Sequence, residues 1–69
     1  MIIQIGIIAG DIWHYLDTNG KEKLSRLILA VGKSRDLVLM SLGWLAREGH
    51  VTLKGEGDYE ISLSNEEAV

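Results

Sequence analysis

The sequence contains no cysteine, only two histidines and no excess of positive charge. Without cysteine, the chain can form neither a disulfide nor a thiolate metal site. Its 7 basic and 10 acidic side chains give a formal net charge of −3, which provides no overall attraction to phosphate. Any contact with nucleic acid must therefore use a local patch of positive charge.

Long hydrophobic runs are also missing. The apolar segment 1–9 is much shorter than the roughly 20 residues that a membrane-spanning helix needs. It also lacks the cationic region and cleavage site of a signal peptide. We therefore expect a cytoplasmic protein with no membrane partner.

Catalytic motifs are absent from the sequence. Neither His14 nor His50 belongs to an H-E-x-x-H motif, and there is no Gly-rich phosphate loop or Ser-His-Asp arrangement. Asp11 and His14 are three residues apart and could share a metal ion, but two ligands are too few for a closed site. A local hydrogen bond, or two solvated side chains, is the simpler interpretation of this pair. We expect no catalysis, no cofactor and no metal ion.

The length of 69 residues indicates one small domain. Such a short chain buries only about 60% of the surface that its unfolded form exposes. Because no disulfide can add stability, association with a second copy is the natural source of further burial. The leading prediction is a homodimer.

The segment from Ser34 to Val51 predicts the central helix of the domain. The Ser34 hydroxyl can accept a hydrogen bond from an unpaired N–H of the first turn, and Gly49 can adopt the left-handed backbone that ends a helix. Val38, Leu42 and Leu45 recur at helical spacing and predict a core stripe. Apolar and small residues also lie off this stripe, where a surface helix usually carries charge: Leu39, Met40, Gly43 and Trp44. This second face needs a partner.

A first helix is predicted from about Ile3 to Thr18, before the stop signal Asn19-Gly20. Its helically spaced apolar residues are Ile5, Ile8, Ala9, Ile12, Trp13 and Leu16. Gly6 and Gly10 each cost up to about 1 kcal/mol relative to Ala, a cost that close packing of another backbone would justify. Further apolar residues widen the surface beyond one stripe, namely Ile2, Ile3 and Ile7.

Between these two helices, Lys21 to Leu24 reads as a minimal strand or extended link. Ser25 is expected to cap a second helix that ends at Gly32. Three apolar residues of this helix are expected to point toward the core: Leu27, Ile28 and Val31. Two strands are expected after the central helix, at 50–54 and 59–63, with a Gly-rich hairpin turn between them. The order is helix, short strand, helix, turn, helix, hairpin.

This order is that of a winged helix-turn-helix domain, in which the hairpin is the wing. At the residue level the chain resembles a small family of stand-alone winged helix domains whose biochemical role is uncharacterised. The matching residues are Gly6, Ala9-Gly10, Ile12-Trp13, Leu16, Asn19-Gly20, Leu37-Val38, the run G-W-L-A-R-E with its preceding Leu42, and Val51. The resemblance covers nearly the whole chain and implies an α+β winged helix fold and a dimer, but it identifies no ligand.

In a DNA-binding domain of this fold, the first turn of the third helix lies near the major groove. The residues that could contact DNA are Lys33, Ser34, Arg35, Arg26, Lys21 and Lys23. Arg can form a bidentate pair with guanine or phosphate, and Lys supplies a compact charge. The simpler interpretation is that these are ordinary solvated side chains.

Two features oppose deep insertion into DNA. The central helix presents hydrocarbon where base-reading side chains normally lie. The wing has one cation, Lys54, against three acids, Glu56, Asp58 and Glu60, which would repel a phosphate backbone. Trp13 and Trp44 could stack on bases, but at helical spacing among apolar residues a core or interface role is favoured.

The sequence therefore predicts an α+β winged helix-turn-helix domain at 1–63, with three helices and a small antiparallel sheet, followed by a flexible tail at 64–69. The predicted function is DNA-binding transcriptional regulation by a homodimer, with weak and largely sequence-independent DNA contact. The alternative is a protein-interaction module that keeps the winged helix shape. The predicted interface residues are Ile2, Ile3, Ile7, Leu39, Met40 and Trp44.

Overall fold

The computed structural model describes residues 2–64, and for Ile2 the backbone only. The helices are α1 (Ile2–Asn19), α2 (Leu24–Val31) and α3 (Arg35–Arg47), and the strands are β1 (Glu22–Lys23), β2 (Val51–Lys54) and β3 (Glu60–Leu63). The predicted order of elements and the α+β winged helix-turn-helix fold are confirmed. The predicted flexible tail falls outside the described residues, apart from Ser64, whose N–H donates a hydrogen bond to the carbonyl oxygen of His50 at 3.0 Å.

The core lies where α1 and α3 pack together above the sheet. Its buried apolar residues are Ile8, Ala9, Ile12, Leu16, Leu24, Leu27, Val38, Leu42, Leu45, Val51, Ile61 and Leu63. The predicted stripe on α3 is therefore confirmed, as is most of the stripe on α1. Ser41 is also fully buried, and its hydroxyl donates to the Leu37 carbonyl oxygen at 2.8 Å and approaches that of Ile5 at 3.4 Å. The buried hydroxyl therefore has hydrogen-bond acceptors at the contact between the two helices.

The sheet has the strand order β1-β3-β2, with both pairs antiparallel. In the register, Lys23 faces Glu60 across β1 and β3, while Val51 faces Leu63 across β2 and β3. Along β3, Ile61 and Leu63 lie in the core, and Ser62 between them is buried too. The two-residue strand β1 therefore joins the start of α2 to the wing.

The turn between α2 and α3 is built on Gly32, whose φ of 73° is left-handed. Its N–H donates to the Ile28 carbonyl oxygen at 3.0 Å, which closes the last turn of α2. Two residues later, the Ser34 hydroxyl accepts a hydrogen bond from the Leu37 N–H at 3.2 Å. Both predicted helix signals are confirmed.

One local prediction is wrong, and another needs a correction of detail. Ser25 does not cap α2, because that helix begins one residue earlier, at Leu24, and its N-cap Lys23 makes no side-chain capping bond. Leu39 lies off the core stripe by spacing, but it is half-buried and packs against the core, and its place in an interface stays a prediction. Ile28 and Val31 point inward as expected, since both are half-buried and pack against the core.

Candidate nucleic-acid interface and apolar face

The six predicted DNA contacts are all exposed, and they lie in the segment 21–35: just before and in β1, in α2, in the turn after α2 and at the first residue of α3. Lys33 and Arg35 flank Ser34 at the turn that enters α3. Because the Ser34 oxygen accepts the capping bond from Leu37, it is the hydroxyl proton that remains to donate outward. We call the five cations of this region, Lys21, Lys23, Arg26, Lys33 and Arg35, the cationic edge.

Acidic residues divide the cationic edge into smaller groups. Lys23 and Arg35 lie near Asp58, and Arg26 lies near the pair formed by Glu22 and Tyr15. The Tyr15 hydroxyl donates to the Glu22 carboxylate at 3.1 Å. This bond, together with burial and the Glu22 charge, raises the pKa of Tyr15 and keeps it protonated. Part of the positive charge of the edge is therefore already balanced within the domain.

Asp58, in the wing turn, supplies the cap that sequence reasoning assigned to Ser25. Its carboxylate accepts the Ser25 N–H at 2.8 Å and the Ser25 hydroxyl proton at 2.9 Å. The backbone bond, the side-chain bond and the nearby charges of Lys23 and Arg35 hold the pKa of Asp58 below its ordinary value of 3.8. The two residues are 33 positions apart, so no local capping pattern could have found this contact.

The outward face of α3 offers little for reading bases. Opposite the buried stripe, the exposed residues at helical spacing are Asp36, Met40, Gly43 and Arg47. Of these, only Arg47 carries the donors that pair with guanine, and the sequence analysis did not single it out. Weak, sequence-independent contact by this helix therefore stays a prediction, now stated for a face whose exposed residues are known.

An apolar surface lies on α1 and α3 and shares Met40 with the outward face of α3. Its large exposed side chains are Ile3 (78% exposed), Ile7 (60%), Trp13 (37%), Met40 (41%) and Trp44 (48%), which we call the apolar face. Next to it lies an open groove of about 250 Å³, lined by Gly6, Ala9, Gly10, Trp13, Trp44, Leu45 and His50. Of the predicted interface residues, Ile3, Ile7, Met40 and Trp44 belong to this face, Leu39 does not, and the side chain of Ile2 lies outside the described part.

Gly6 and Gly10 are not explained by packing within the described chain. A Cβ built on either residue would meet no other atom within 4 Å, and neither has a positive φ. The expected close approach of another backbone is therefore not made inside this domain. Both glycines instead leave the floor of the groove bare between Trp13 and Trp44.

The histidines form no metal centre with their surroundings. The ring of His14 makes an edge-on contact with Trp13, with the ring centroids 5.6 Å apart and the planes at 85°. Across residues 2–64, no group of three or more His, Cys, Asp or Glu side chains could hold a metal ion. Nor is any helix in this part of the chain long and apolar enough to span a bilayer.

Comparison with known proteins supports this architecture. The model of the family described as "Winged helix-turn-helix domain (DUF2582)" matches residues 2–65. Uncharacterized protein MJ1608 of Methanocaldococcus jannaschii is 33% identical over 63 residues, which cover 87% of this chain and 90% of that protein. The Zalpha domain of PKZ from Carassius auratus, crystallised in complex with Z-DNA, is similar in structure with a TM-score of 0.78 and 22% identity, covering 86% of this chain and 95% of that one. At this identity the likeness to the Zalpha domain shows the fold alone.

Proposed function

This chain belongs to the winged helix-turn-helix domain family DUF2582, and we propose that it is a non-enzymatic, cytoplasmic DNA-binding regulator of transcription that acts as a homodimer. The observation that supports DNA binding is the cationic edge, five exposed cations within the segment 21–35 that leads into α3, in a chain of net charge −3. The Zalpha domain in complex with Z-DNA is a precedent for this fold on a nucleic acid, and no more than a precedent.

Contact with DNA would rest on phosphate rather than on bases. Lys33 and Arg35 lie at the start of α3. Of the other three cations, Lys21 precedes β1, Lys23 lies in β1 and Arg26 lies in α2. Side chains of this kind fix a protein on the duplex without reading its sequence. Since the outward face of α3 carries Met40 and Gly43 where base readers would lie, we expect weak binding that is similar on every duplex.

A titration with random-sequence duplex DNA at low salt tests this function. We expect amide chemical shift changes centred on Lys33, Ser34 and Arg35. A site that neutralises three or four phosphates should give a slope of log affinity against log salt of roughly −3 to −4 per subunit. A nanomolar complex with one operator at physiological salt, weakened by changes at Met40, would instead mean that α3 reads bases.

The homodimer is supported by the apolar face. Five large side chains remain between about a third and four fifths exposed on α1 and α3, an amount of exposed hydrocarbon that marks interaction sites on small proteins. The groove beside them offers two glycines, over which a helix of a second copy could pack closely. Sedimentation at micromolar concentration should give about twice the chain mass of 7.6 kDa. A stable monomer with a solvated Trp44 would rule this assembly out.

A second candidate function is a protein-interaction module, and one observation favours it: Met40 and Trp44 are exposed on the helix that would face DNA. In this case the winged helix shape would be retained while α3 binds another protein. The same DNA titration separates the two functions. An absence of shifts at Lys33 to Arg35, even at low salt, would favour the interaction module.

A further inference from the structure

A single carboxylate, that of Asp58, fastens the wing to α2 through two hydrogen bonds, which we call the clasp. Both oxygens of Asp58 are occupied by Ser25, one by the backbone N–H at 2.8 Å and the other by the hydroxyl at 2.9 Å. Next to it, the Leu24 N–H donates to the Tyr59 carbonyl oxygen at 2.8 Å. The wing turn is therefore fixed to the first turn of α2, and the Asp58 carboxylate cannot rotate away without breaking two bonds.

This clasp holds a negative charge inside the cationic edge. Lys23 is the N-cap of α2, and the Asp58 carboxylate is bonded to Ser25 only two residues further on. The charges of Lys23 and Arg35 both act to lower the pKa of this carboxyl group. Lys23 also faces Glu60 in the register of β1 and β3. Any phosphate that approached Lys23 or Arg35 would meet a fixed carboxylate that competes for the same cations.

We infer that Asp58 competes with DNA phosphate for two cations of the cationic edge. Its carboxylate, held in place by Ser25, interacts with the charges of Lys23 and Arg35 and thereby lowers the affinity of the edge for phosphate. This inference rests on the proposed DNA binding and adds a regulating residue to it. The clasp distinguishes Asp58 from Glu56, which is exposed in the same turn and has no described hydrogen bond that fixes it in place. Removal of either acid changes the net charge equally, but only removal of Asp58 should release the two cations.

The test compares Asp58→Asn with Glu56→Gln, using fluorescence anisotropy of a labelled mixed-sequence duplex over a range of low salt concentrations. Asn keeps an oxygen that can accept the Ser25 N–H, so the start of α2 retains its cap. Asp58→Asn should raise the affinity roughly three- to tenfold, the scale of two exposed charge pairs. It should also steepen the salt slope by about 0.9, corresponding to one additional phosphate contact. Glu56→Gln should change the affinity less than about twofold and leave the slope as it is.

Ser25→Ala separates the charge of Asp58 from the bond that orients it. This variant loses the hydroxyl bond but keeps both the carboxylate and its backbone bond, so its affinity should stay within about twofold of the wild type. Amide spectra of each variant, with changes confined to the wing turn and the start of α2, establish that the domain is folded.

The outcomes separate this inference from the function on which it rests. Binding by the wild type with equal gains for Asp58→Asn and Glu56→Gln would overturn the role of Asp58 and leave DNA binding intact. A gain in Ser25→Ala as large as that in Asp58→Asn would also overturn it, because the carboxylate is still present. No binding by the wild type or by either acid variant would overturn both. Binding that appears only when Asp58 is replaced would support the inference in its strongest form.

Discussion

The apolar face and the cationic edge are both exposed, but hydration is unfavourable for the first and favourable for the second. On the apolar face, contact with water is unfavourable, so burial of Trp44 and Ile7 against another surface lowers the free energy. On the cationic edge, Lys33 and Arg35 are well solvated, and a partner must offer phosphate to compete with water and salt. Association through the first surface should thus resist salt, whereas contact through the second should weaken steeply with it.

The largest effect is expected from the buried side of α3, which provides the reference for both exposed surfaces. Leu42 is fully buried, so Leu42→Ala should lower the free energy of unfolding by about 2 to 5 kcal/mol, a large share of the stability of so small a domain. Urea unfolding measures this loss. Met40→Ala, on the exposed side of the same helix, is the matched control and should cost much less at a concentration where the chain is monomeric.

Replacement of Trp44 should act mainly on association. Trp44→Ala removes a large side chain that is half-exposed in one copy, so we expect at least a tenfold weaker dimer with a smaller change in the unfolding of the monomer. Sedimentation over a range of concentrations gives the dimer constant. A destabilisation that does not depend on protein concentration would assign Trp44 to the fold of one chain instead.

Gly10→Ala should move stability and association in opposite directions. Inside one copy the added Cβ meets no atom within 4 Å, so the helix should gain up to about 1 kcal/mol. If a second copy packs closely over the groove, the same methyl group should weaken the dimer. Gly43→Ala on α3 is the control, because its Cβ also meets nothing within the described chain. Stabilisation of the dimer by Gly10→Ala would exclude close packing at this glycine.

A smaller effect is expected on the cationic edge. Arg35→Ala should lower the affinity similarly for all duplexes and make the salt slope shallower by about 1, since one phosphate contact is lost. Arg47→Ala removes the same charge from the other end of α3 and should leave the slope nearly unchanged. An equal effect of the two replacements would mean that the whole helix, rather than its first turn, lies against DNA.

The smallest expected effect is a pH dependence of the free energy of unfolding that arises from Asp58 beside the cationic edge and not from the apolar face. The pKa of Asp58 is lower in the folded chain than its ordinary value of 3.8, so its contribution to stability is complete above that value. The contribution is lost as the pH falls through the lowered pKa, when the carboxylate takes up a proton. Urea unfolding of the wild type should therefore converge with that of Asp58→Asn in strong acid and differ from it near neutral pH. A constant difference across this range would contradict the assigned cause.

Sequence reasoning succeeded where a feature depends on neighbours along the chain. Helical spacing identified Val38, Leu42 and Leu45 as buried, and local signals placed the ends of helices at Ser34 and Gly32. The exposure of Met40 and Trp44 also followed from spacing, because each lies away from the core stripe on the same helix.

The corrections concern places where distant segments meet. Leu39 lies off the stripe by spacing, but neighbouring elements pack against α3 over a wider arc than three core positions suggest. Ser25 has the composition of a helix cap, whereas the actual acceptor is a carboxylate brought in by the wing. No alignment of local patterns reveals such a contact, since it exists only once β1 has paired with β3.

The strand order has a consequence for how this protein is made. Among the strands of residues 2–64, β3 comes last along the chain but lies in the middle of the sheet, so neither β1 nor β2 can complete its ladder before residues 60–63 exist. While the ribosome is still producing the wing, the three helices are present without the strand that covers their core, and Ile61 and Leu63 are missing from it. Such uncovered hydrocarbon is prone to aggregate. Folding should therefore occur late in synthesis and in a single step, with the release of the final strand as its trigger.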